Sequence, residues 1–355
     1  MRQAFPRRAG IAAVLTGVIG SAAIAQTVVG YDPARGYQTV PGPAGFAPAD
    51  ASFGYDPAPV SGGGGQTGGG VTWGRHGAGS SGFSHEGVIE YELLKTTDED
   101  DTILFGDFML GYMAPGAGIG FEIGMTGYDT GEAGADTAAY GALRLKVGNG
   151  EIRAGVPRAA LDDFMDIPAL GGSRYLDLGY GQLTSSLVSS HYLFGGKTPW
   201  GLRYDTTLGN VDLAGSAHQF ADEQTKVLDV AAAWHLGAVT LSAGAEQVES
   251  DDHASGTSVI LGAKAGNGPI EGGLYWSNLE NPGDIEAFTA YGTWRPSTPV
   301  SVTGSFVTAR EDGRESTLYG VSADYTFWQG AYVQGGVTDG DSEDATYDLS
   351  VGFKF

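Results

Sequence analysis

The chain contains no cysteine and few basic residues. In 355 residues the lack of cysteine excludes a disulfide framework, a thiolate metal site and a cysteine nucleophile. The 42 acidic against 19 basic residues give a net charge of -23, which repels phosphate backbones, so we expect no nucleic-acid partner. Only 17% of residues are charged while 60 are glycine, a composition that suits neither a helical bundle nor an acidic disordered chain.

Long apolar runs are also absent after the first 25 residues. Arg2, Arg7 and Arg8 precede an uncharged apolar stretch over residues 11–24, and small residues surround position 25. We expect residues 1–25 to be a secretory signal peptide; a membrane anchor is the less favoured alternative, because the apolar stretch is too short to span a bilayer. If the exported chain enters a membrane, it does so with strands, and only a closed barrel then pairs every backbone group.

Residues 26–85 differ in composition from the rest of the chain. These 60 residues include 16 glycines and 6 prolines. Such a segment has too little apolar surface to offset the entropy of ordering. We predict a flexible extension, with docking through its few aromatic residues, such as Trp73, as the alternative.

Residues 86–355 have the pattern of an antiparallel β-barrel. Sixteen segments of about ten residues alternate between apolar and polar positions. In the last one, Tyr347, Leu349 and Val351 share a face, while Asp348 and Ser350 share the other. The connections alternate between short turns with little charge and longer acidic loops, as in outer-membrane barrels with periplasmic turns. The predicted fold is an all-β, transmembrane 16-stranded barrel. Aromatic residues near the strand ends, among them Trp234, Trp294, Tyr128, Tyr275 and Tyr332, fit two interfacial girdles.

One connection, residues 158–200, has 43 residues where the others have about six to eight. We predict that it folds into the lumen and narrows the pore; its acidic residues include Asp162, Asp163 and Asp166. The alternation also directs four cations of the wall inward, because a cation facing lipid costs roughly 2–4 kcal/mol. These are Arg144, Lys146, Arg153 and Arg203, whereas Ile152, Ala154 and Val156 are predicted to face outward. Opposed charges would create a transverse field; alternatively, they merely neutralise one another.

The barrel segment resembles the general porins of Gram-negative bacteria, particularly the sixteen-stranded α-proteobacterial type. The resemblance rests on the C-terminal stretch 347–355 ending in Phe355, on residues 155–164 (GVPRAALDDF) and on the long third loop. It implies that Phe355 belongs to a signal for the barrel-assembly machinery, that the third loop narrows the pore, and that three barrels form a homotrimer. It also implies Asp162, Asp163 and Asp166 opposite Arg144, Arg153 and Arg203. The Gly/Pro-rich extension departs from this family.

Motifs of catalysis are scarce, and we expect neither an enzyme nor a cofactor. Acidic loop residues could bind Ca²⁺ and bridge to lipopolysaccharide, with simple solvation as the alternative; the candidates are Asp339, Asp341, Glu343 and Asp344. The sequence therefore predicts an outer-membrane porin for passive diffusion of small hydrophilic solutes and ions. The alternative is an occluded structural or adhesive outer-membrane barrel without channel activity.

Overall fold

The computed structural model of the protein describes residues 29–32, 36–39, 82–96, 100–130, 135–165, 167–220, 224–250, 255–280, 285–311, 314–328, 330–341 and 345–355. The chain divides into two units, Met1–Gly63 and Gly64–Phe355. The predicted signal peptide, residues 1–25, lies outside the described residues.

The first unit contains a two-stranded antiparallel hairpin. Its strands are β1 (Val29–Asp32) and β2 (Gly36–Thr39), with Val29 opposite Thr39. Both strands fall in the stretch 26–85, for which the sequence predicted a flexible extension, and most of the remainder of that stretch lies outside the described residues. Both strands contain β-branched or aromatic residues, which favour strand pairing, although the segment as a whole is rich in glycine.

The second unit is a closed antiparallel barrel of sixteen strands, in which each strand pairs with its sequence neighbours and the last pairs with the first. This confirms the predicted fold and strand number. The strands are β3 (Gly82–Lys95), β4 (Asp100–Met113), β5 (Ile119–Asp129), β6 (Ala135–Val147), β7 (Gly150–Val156), β8 (Pro199–Leu208), β9 (Val211–Phe220), β10 (Lys226–Leu236), β11 (Val239–Glu249), β12 (Gly256–Asn267), β13 (Ile270–Leu279), β14 (Ile285–Ser297), β15 (Val300–Glu311), β16 (Arg314–Trp328), β17 (Ala331–Gly340) and β18 (Thr346–Lys354).

The barrel begins at Gly82 rather than at the predicted boundary of 86. Gly82 pairs with Met113 and Phe83 with Tyr112, so the ladder between β3 and β4 continues four residues further than the sequence pattern indicated. The aromatic ring of Phe83 is exposed and packs on Tyr112, 4.6 Å between ring centroids. The glycine-rich composition before this point concealed the first residues of the strand.

The barrel is apolar outside and polar inside. On β18, Tyr347, Leu349 and Val351 are at least half exposed on the outer surface, while Asp348 and Ser350 are buried on the inner face. This arrangement is the inverse of a water-soluble protein and confirms the alternation read from the sequence. Among the described residues, no helix is long and apolar enough to cross a membrane.

The aromatic residues divide between the two faces of the barrel. Trp234 and Trp294 are exposed on the outer surface, as expected of a girdle. Tyr275 and Tyr332, however, are buried on the inner face, and Tyr128 faces inward onto Phe194. The girdle prediction is therefore wrong for these three tyrosines, because position near a strand end does not determine which face a residue occupies.

The C-terminus closes the barrel. Phe355 and Gly87 exchange two backbone hydrogen bonds, Gly87 N to Phe355 O at 2.9 Å and Phe355 N to Gly87 O at 3.0 Å. The Phe355 ring also stacks on Phe353. Phe355 therefore supplies hydrogen-bond partners for the backbone of Gly87 at the seam of the barrel, where the C-terminal residues meet β3.

We predict that Gly87→Ala destabilises the barrel, because an added Cβ would lie 2.6 Å from the Phe355 ring and 2.8 Å from the Asp107 carbonyl oxygen. Overpacking of this kind costs about 1–3 kcal/mol. The matched control is Gly292→Ala, where nothing lies within 4 Å of the new Cβ. The free energy of unfolding in urea, measured in detergent, should fall for the first variant only. Equal stability of both variants would contradict this account of the seam.

Candidate functional site

The connection between β7 and β8 folds into the barrel, as predicted for residues 158–200. It contains short 3₁₀ turns at Leu161–Asp163, Leu170–Gly172 and Gly181–Thr184, and two helices, α1 (Arg174–Tyr180) and α2 (Leu187–Gly195). The first turn contacts β10 and β11, the second contacts β15 to β17, and α2 contacts β6. The loop therefore crosses the lumen and contacts walls on opposite sides.

The start of the loop is held by Arg158. Its guanidinium donates to Asp107 Oδ1 at 2.9 Å and to Thr126 Oγ1 at 3.0 Å, and lies 4.1 Å from the centroid of the Tyr140 ring. Thr126 also donates to Asp107, at 2.9 Å. Three neighbouring strands thus position one side chain. Strand parity could not predict this role of Arg158, because parity says nothing about a residue in a loop.

The next residues donate backbone hydrogen bonds to the wall. Ala160 N donates to Ser216 Oγ at 3.0 Å and Leu161 N donates to Asp229 Oδ1 at 3.0 Å. Ser216 in turn donates to Asp229 at 2.6 Å. A peptide group inside the barrel has no ladder partner, and here wall side chains supply its acceptors.

Arg203 is the wall cation that reaches the loop. It forms ion pairs with Asp163 of the loop and, at 2.6 Å, with Asp205 of its own strand. It also donates to the Ala159 carbonyl oxygen at 3.0 Å. Of the predicted opposition between loop acids and wall cations, the described structure contains this pair, Asp163 with Arg203.

Arg144 and Arg153 face inward as predicted, but wall carboxylates neutralise them. Arg144 makes a bidentate pair with Glu151, both contacts at 2.8 Å. Arg153 Nε donates to Glu151 at 2.9 Å and lies 3.5 Å from Glu122. Both arginines are at least nine-tenths buried. For these two residues the geometry corresponds to the alternative reading, in which charges of a polar lumen satisfy one another.

The remaining predicted constriction residues lie elsewhere. Lys146 is exposed near the tight turn after β6, where it stands opposite Glu151 on β7. Asp162 accepts hydrogen bonds from Ser186 N at 2.7 Å and from Ser189 Oγ, so it links two limbs of the loop rather than facing a wall cation. Asp166 lies outside the described residues.

The middle of the loop is seated by apolar packing. Four of its leucines and two other apolar side chains are buried against inward-facing residues of β9 to β16, including Ile260, Tyr291, Val307 and Leu318. Burying each leucine contributes about 1.5–3 kcal/mol. The loop members are Leu161, Phe164, Met165, Leu170, Leu176 and Leu183. The apolar patch on the inner wall was not found from sequence, because it is spread over seven strands, β9, β10 and β12 to β16.

The turn Leu170–Gly172 docks between β15 and β17. Gly171 has φ +61 and donates its N–H to Ser305 Oγ at 2.9 Å, while Gln334 Nε2 donates to Gly172 O at 2.5 Å. Gly320 leaves a notch in the wall beneath the turn, because it has no side chain there: a Cβ on Gly320 would lie 2.6 Å from Gly171 Cα. Glycine on both surfaces therefore permits backbone to approach backbone.

The first residues of α1 bind the opposite side of the seam. Ser173 Oγ donates to Glu92 Oε1 at 2.6 Å and Arg174 N donates to Glu92 Oε2 at 2.8 Å. Arg174 Nε donates to Glu90 at 3.2 Å, and Tyr332 OH donates to the same carboxylate. Ser173 also caps the helix by accepting from Leu176 N, so one side chain both begins the helix and fixes it to the wall.

The returning limb is held by β11 and β6. Leu187 N donates to Glu246 Oε1 at 3.1 Å, and Tyr192 OH donates to the Ala139 carbonyl oxygen at 2.7 Å. Val156 is buried in the cluster around Tyr192, although it was predicted to face outward. The reason is Gly155, whose φ of +136 breaks the alternation at the end of β7.

A cavity of about 180 Å³ remains between the loop and two facing walls. Its walls come from β4 to β6 on one side and from β14 and β15 on the other. Hydroxyl, aromatic and carboxylate side chains line it, among them Asp107, Tyr140, Asp177, Ser189 and Tyr291. Apolar atoms contribute the larger part of its surface, and Met165, Leu170 and Val307 are among the lining residues.

Two loop carboxylates at this cavity have raised pKa values. Burial raises the pKa of Asp162 to about 6, opposed by its hydrogen bonds from Ser186 and Ser189. Burial likewise raises the pKa of Asp177 to about 6, opposed by the nearby Arg174 guanidinium. The charge beside the cavity therefore changes within an accessible pH range.

Two of the predicted calcium ligands are described. Asp339 accepts from Gly340 N at 2.8 Å, and Asp341 N donates to Thr317 O at 3.0 Å. Glu343 and Asp344 lie outside the described residues. In the part of the chain that the structure describes, no three His, Asp or Glu side chains converge to hold a metal. Calcium binding at this loop stays a prediction.

Solved structures share this architecture. One engineered variant of the Rhodobacter blastica porin, carrying five substitutions, has a TM-score of 0.55 and 19% identity, with 77% of this chain and 100% of that chain covered. A second variant of that porin has a TM-score of 0.54 at the same identity and coverage. OmpT, an outer-membrane protein of Vibrio cholerae in trimer form, has a TM-score of 0.54 and 13% identity over 77% and 99% of the chains. No protein-family model and no curated protein matches the chain. The similarity establishes the fold.

We predict that Gly320→Ala loosens the docked turn, because the new methyl group would meet Gly171 Cα and Thr338 Oγ1. Amide hydrogen exchange of residues 167–176, measured by mass spectrometry, should accelerate. Gly304→Ala on β15 is the control, since its Cβ meets nothing within 4 Å. Unchanged exchange in Gly320→Ala would show that the notch does not hold the turn.

Proposed function

We propose that the protein is an outer-membrane porin, a water-filled channel for passive diffusion of small hydrophilic solutes and ions that acts without catalysis. The observation that carries this proposal is the loop of residues 158–200 crossing a sixteen-stranded barrel and leaving a cavity of about 180 Å³ that is lined in part by hydroxyl and carboxylate groups. A barrel of this strand number encloses an aqueous lumen, and an inserted loop sets its narrowest width. The porin fold of the similar structures supports the same function.

The interior charge favours cations. Among the buried side chains of the described residues, ten are carboxylates and five are guanidinium groups. The carboxylates are Glu90, Glu92, Asp107, Glu122, Glu151, Asp162, Asp229, Glu246, Asp324 and Asp348; the guanidinium groups are Arg144, Arg153, Arg158, Arg174 and Arg203. A net negative field at a narrow, low-dielectric passage raises the local concentration of cations. Selectivity is set at the loop by Asp162, Asp163 and Asp177 against the wall arginines.

The proposed partners follow from the surface and from the similar structures. The apolar outer face contacts outer-membrane lipid, with the tight turns in the periplasm and the acidic loops outside, near lipopolysaccharide. Phe355, which closes the barrel on Gly87, is proposed as part of the signal for the barrel-assembly machinery. A homotrimer is proposed from the trimer form of the similar Vibrio cholerae protein.

Single-channel recording tests the proposed function. Refolded full-length protein added to a planar bilayer should produce stepwise openings of constant size. The folded state of the protein is checked by its resistance to unfolding in cold detergent. If protein that passes this check produces no openings, the result would contradict conduction and support the occluded structural or adhesive barrel. Swelling of liposomes in sugars of increasing size would then give the exclusion limit of the open channel.

We predict opposite selectivity shifts for two substitutions. Asp177→Asn removes a partly exposed carboxylate from the cavity, so the reversal potential in a salt gradient should move toward anions. Arg153→Gln removes a positive charge from the wall and should move it toward cations. Arg310→Gln, an exposed position on β15, is the control and should leave it unchanged. Shifts of the same sign for both test variants would exclude a local electrostatic origin.

Cation preference should decline on acidification. The raised pKa values of Asp162 and Asp177 are about 6. Lowering the pH from neutral through this range therefore protonates both groups and removes negative charge. The reversal potential measured from pH 7.5 to 5 should therefore shift toward anions in the native protein, and less so in Asp177→Asn. A flat profile in the native protein would refute this assignment.

A further inference from the structure

The inner wall where β17, β18 and β3 meet carries oxygen atoms without a hydrogen-bond donor. In the described structure five fully buried side-chain oxygens of this patch have no partner. They are Glu90 Oε1, Gln334 Oε1, Asp348 Oδ1, Asp348 Oδ2 and Ser350 Oγ. Buried polar atoms are normally paired, so a group of unpaired acceptor oxygens points to a bound cation.

Asp348 is the centre of the patch. Its side chain is 7% exposed and neither carboxylate oxygen accepts a hydrogen bond from another residue. An isolated carboxylate in a buried site costs several kcal/mol unless it gains a cation or a proton.

The strand register brings neutral and charged oxygens beside this carboxylate. Ser350, two residues along the same face, stands directly opposite Gln334 on β17 and opposite Glu92 on β3. Directly opposed pairs have Cβ atoms about 4.5–5.5 Å apart, and diagonal neighbours are about 7–8 Å apart. Side chains of this length can therefore converge from three strands on one point.

The docked turn of the loop covers the patch and adds a backbone oxygen. A Cβ placed on Gly336 would meet both the Gly171 carbonyl oxygen and Asp348 Oδ2, so these two oxygens are near neighbours. Gln334 is oriented by its amide, which donates to Gly172 O and leaves Oε1 as an acceptor. The site lies between loop and wall.

The local charge is not balanced by side chains. In their ionised forms Glu90, Glu92 and Asp348 contribute three negative charges, and Arg174, bonded to Glu90, contributes one positive charge. Lys354, the other cation of this face, interacts with Asp324 and lies 4.4 Å from the centroid of the Tyr332 ring. One divalent cation would balance the remaining two negative charges.

We propose that this patch binds one Ca²⁺ ion, held by Asp348, Ser350, Gln334 and the Gly171 carbonyl oxygen, with Glu92 completing the ligands. Ca²⁺ takes six to eight oxygen ligands and accepts mixtures of carboxylate, amide, hydroxyl and backbone carbonyl groups, which explains why no three acidic residues need converge. The bound ion ties the turn Leu170–Gly172 to the wall. This binding does not depend on conduction and is distinct from the acidic loop around Asp339.

Isothermal titration of the refolded full chain in detergent with CaCl₂, after chelator treatment, tests the site. The native protein should bind a Ca²⁺ ion that Asp348→Asn does not bind. Asp341→Asn, a matched change in the exposed acidic loop, should retain that ion. Native protein that binds no Ca²⁺, or loss of the ion only in Asp341→Asn, would overturn the proposal.

Two further measurements keep the test decisive if Asp348→Asn folds poorly. Ser350→Ala removes one neutral ligand and should weaken Ca²⁺ binding without removing a charge. Ca²⁺ should also slow amide exchange of residues 170–174 in the native protein. If Asp348 is instead protonated, acidification would raise the unfolding temperature while Ca²⁺ changes neither this temperature nor the exchange rate, and the proposal would fail.

Discussion

Peptide groups of a long loop inside a barrel need hydrogen-bond partners, because they are not part of the backbone ladder that pairs one strand with the next. The wall supplies them from side chains: Asp229 accepts from Leu161 N, Glu92 from Arg174 N and Glu246 from Leu187 N. Two of these acceptors stand on the adjacent strands β10 and β11 and the third on β3, across the barrel, so they fix the loop on two opposite sides of the circumference. The path of the loop, and with it the shape of the lumen, depends on this pairing.

This constraint explains why acids outnumber cations inside the barrel. A cation on the wall can pair with a loop carboxylate, as Arg203 does with Asp163, but it cannot accept from a backbone N–H. Carboxylates accept several hydrogen bonds each and are the efficient partners for a loop without its own ladder. The negative interior that we connect with cation preference is thus partly a consequence of how the loop is held.

The alternation of the strands made much of the fold predictable. Periodicity gave the sixteen strands and the inward direction of Arg144, Arg153 and Arg203, because one polar residue in the lipid face is costly. Glu151, two residues from Arg153 on the same strand, has the same parity, but periodicity could not give Glu122, because the register between strands is a tertiary property. Loop residues have no parity at all, so the roles of Arg158, Gly171 and Ser173 were visible only in the folded chain.

A cross-link between loop and wall tests most directly whether the loop crosses the lumen. Thr338 Oγ1 lies 3.5 Å from Leu170 O, whereas Ser216 stands on β9, at another part of the wall. The native chain contains no cysteine, so a Leu170→Cys, Thr338→Cys double variant has no competing thiols. Oxidation should link this pair rapidly and leave the Leu170→Cys, Ser216→Cys pair unlinked. Equal linkage of both pairs, or linkage only in the Leu170→Cys, Ser216→Cys variant, would contradict the position of the loop.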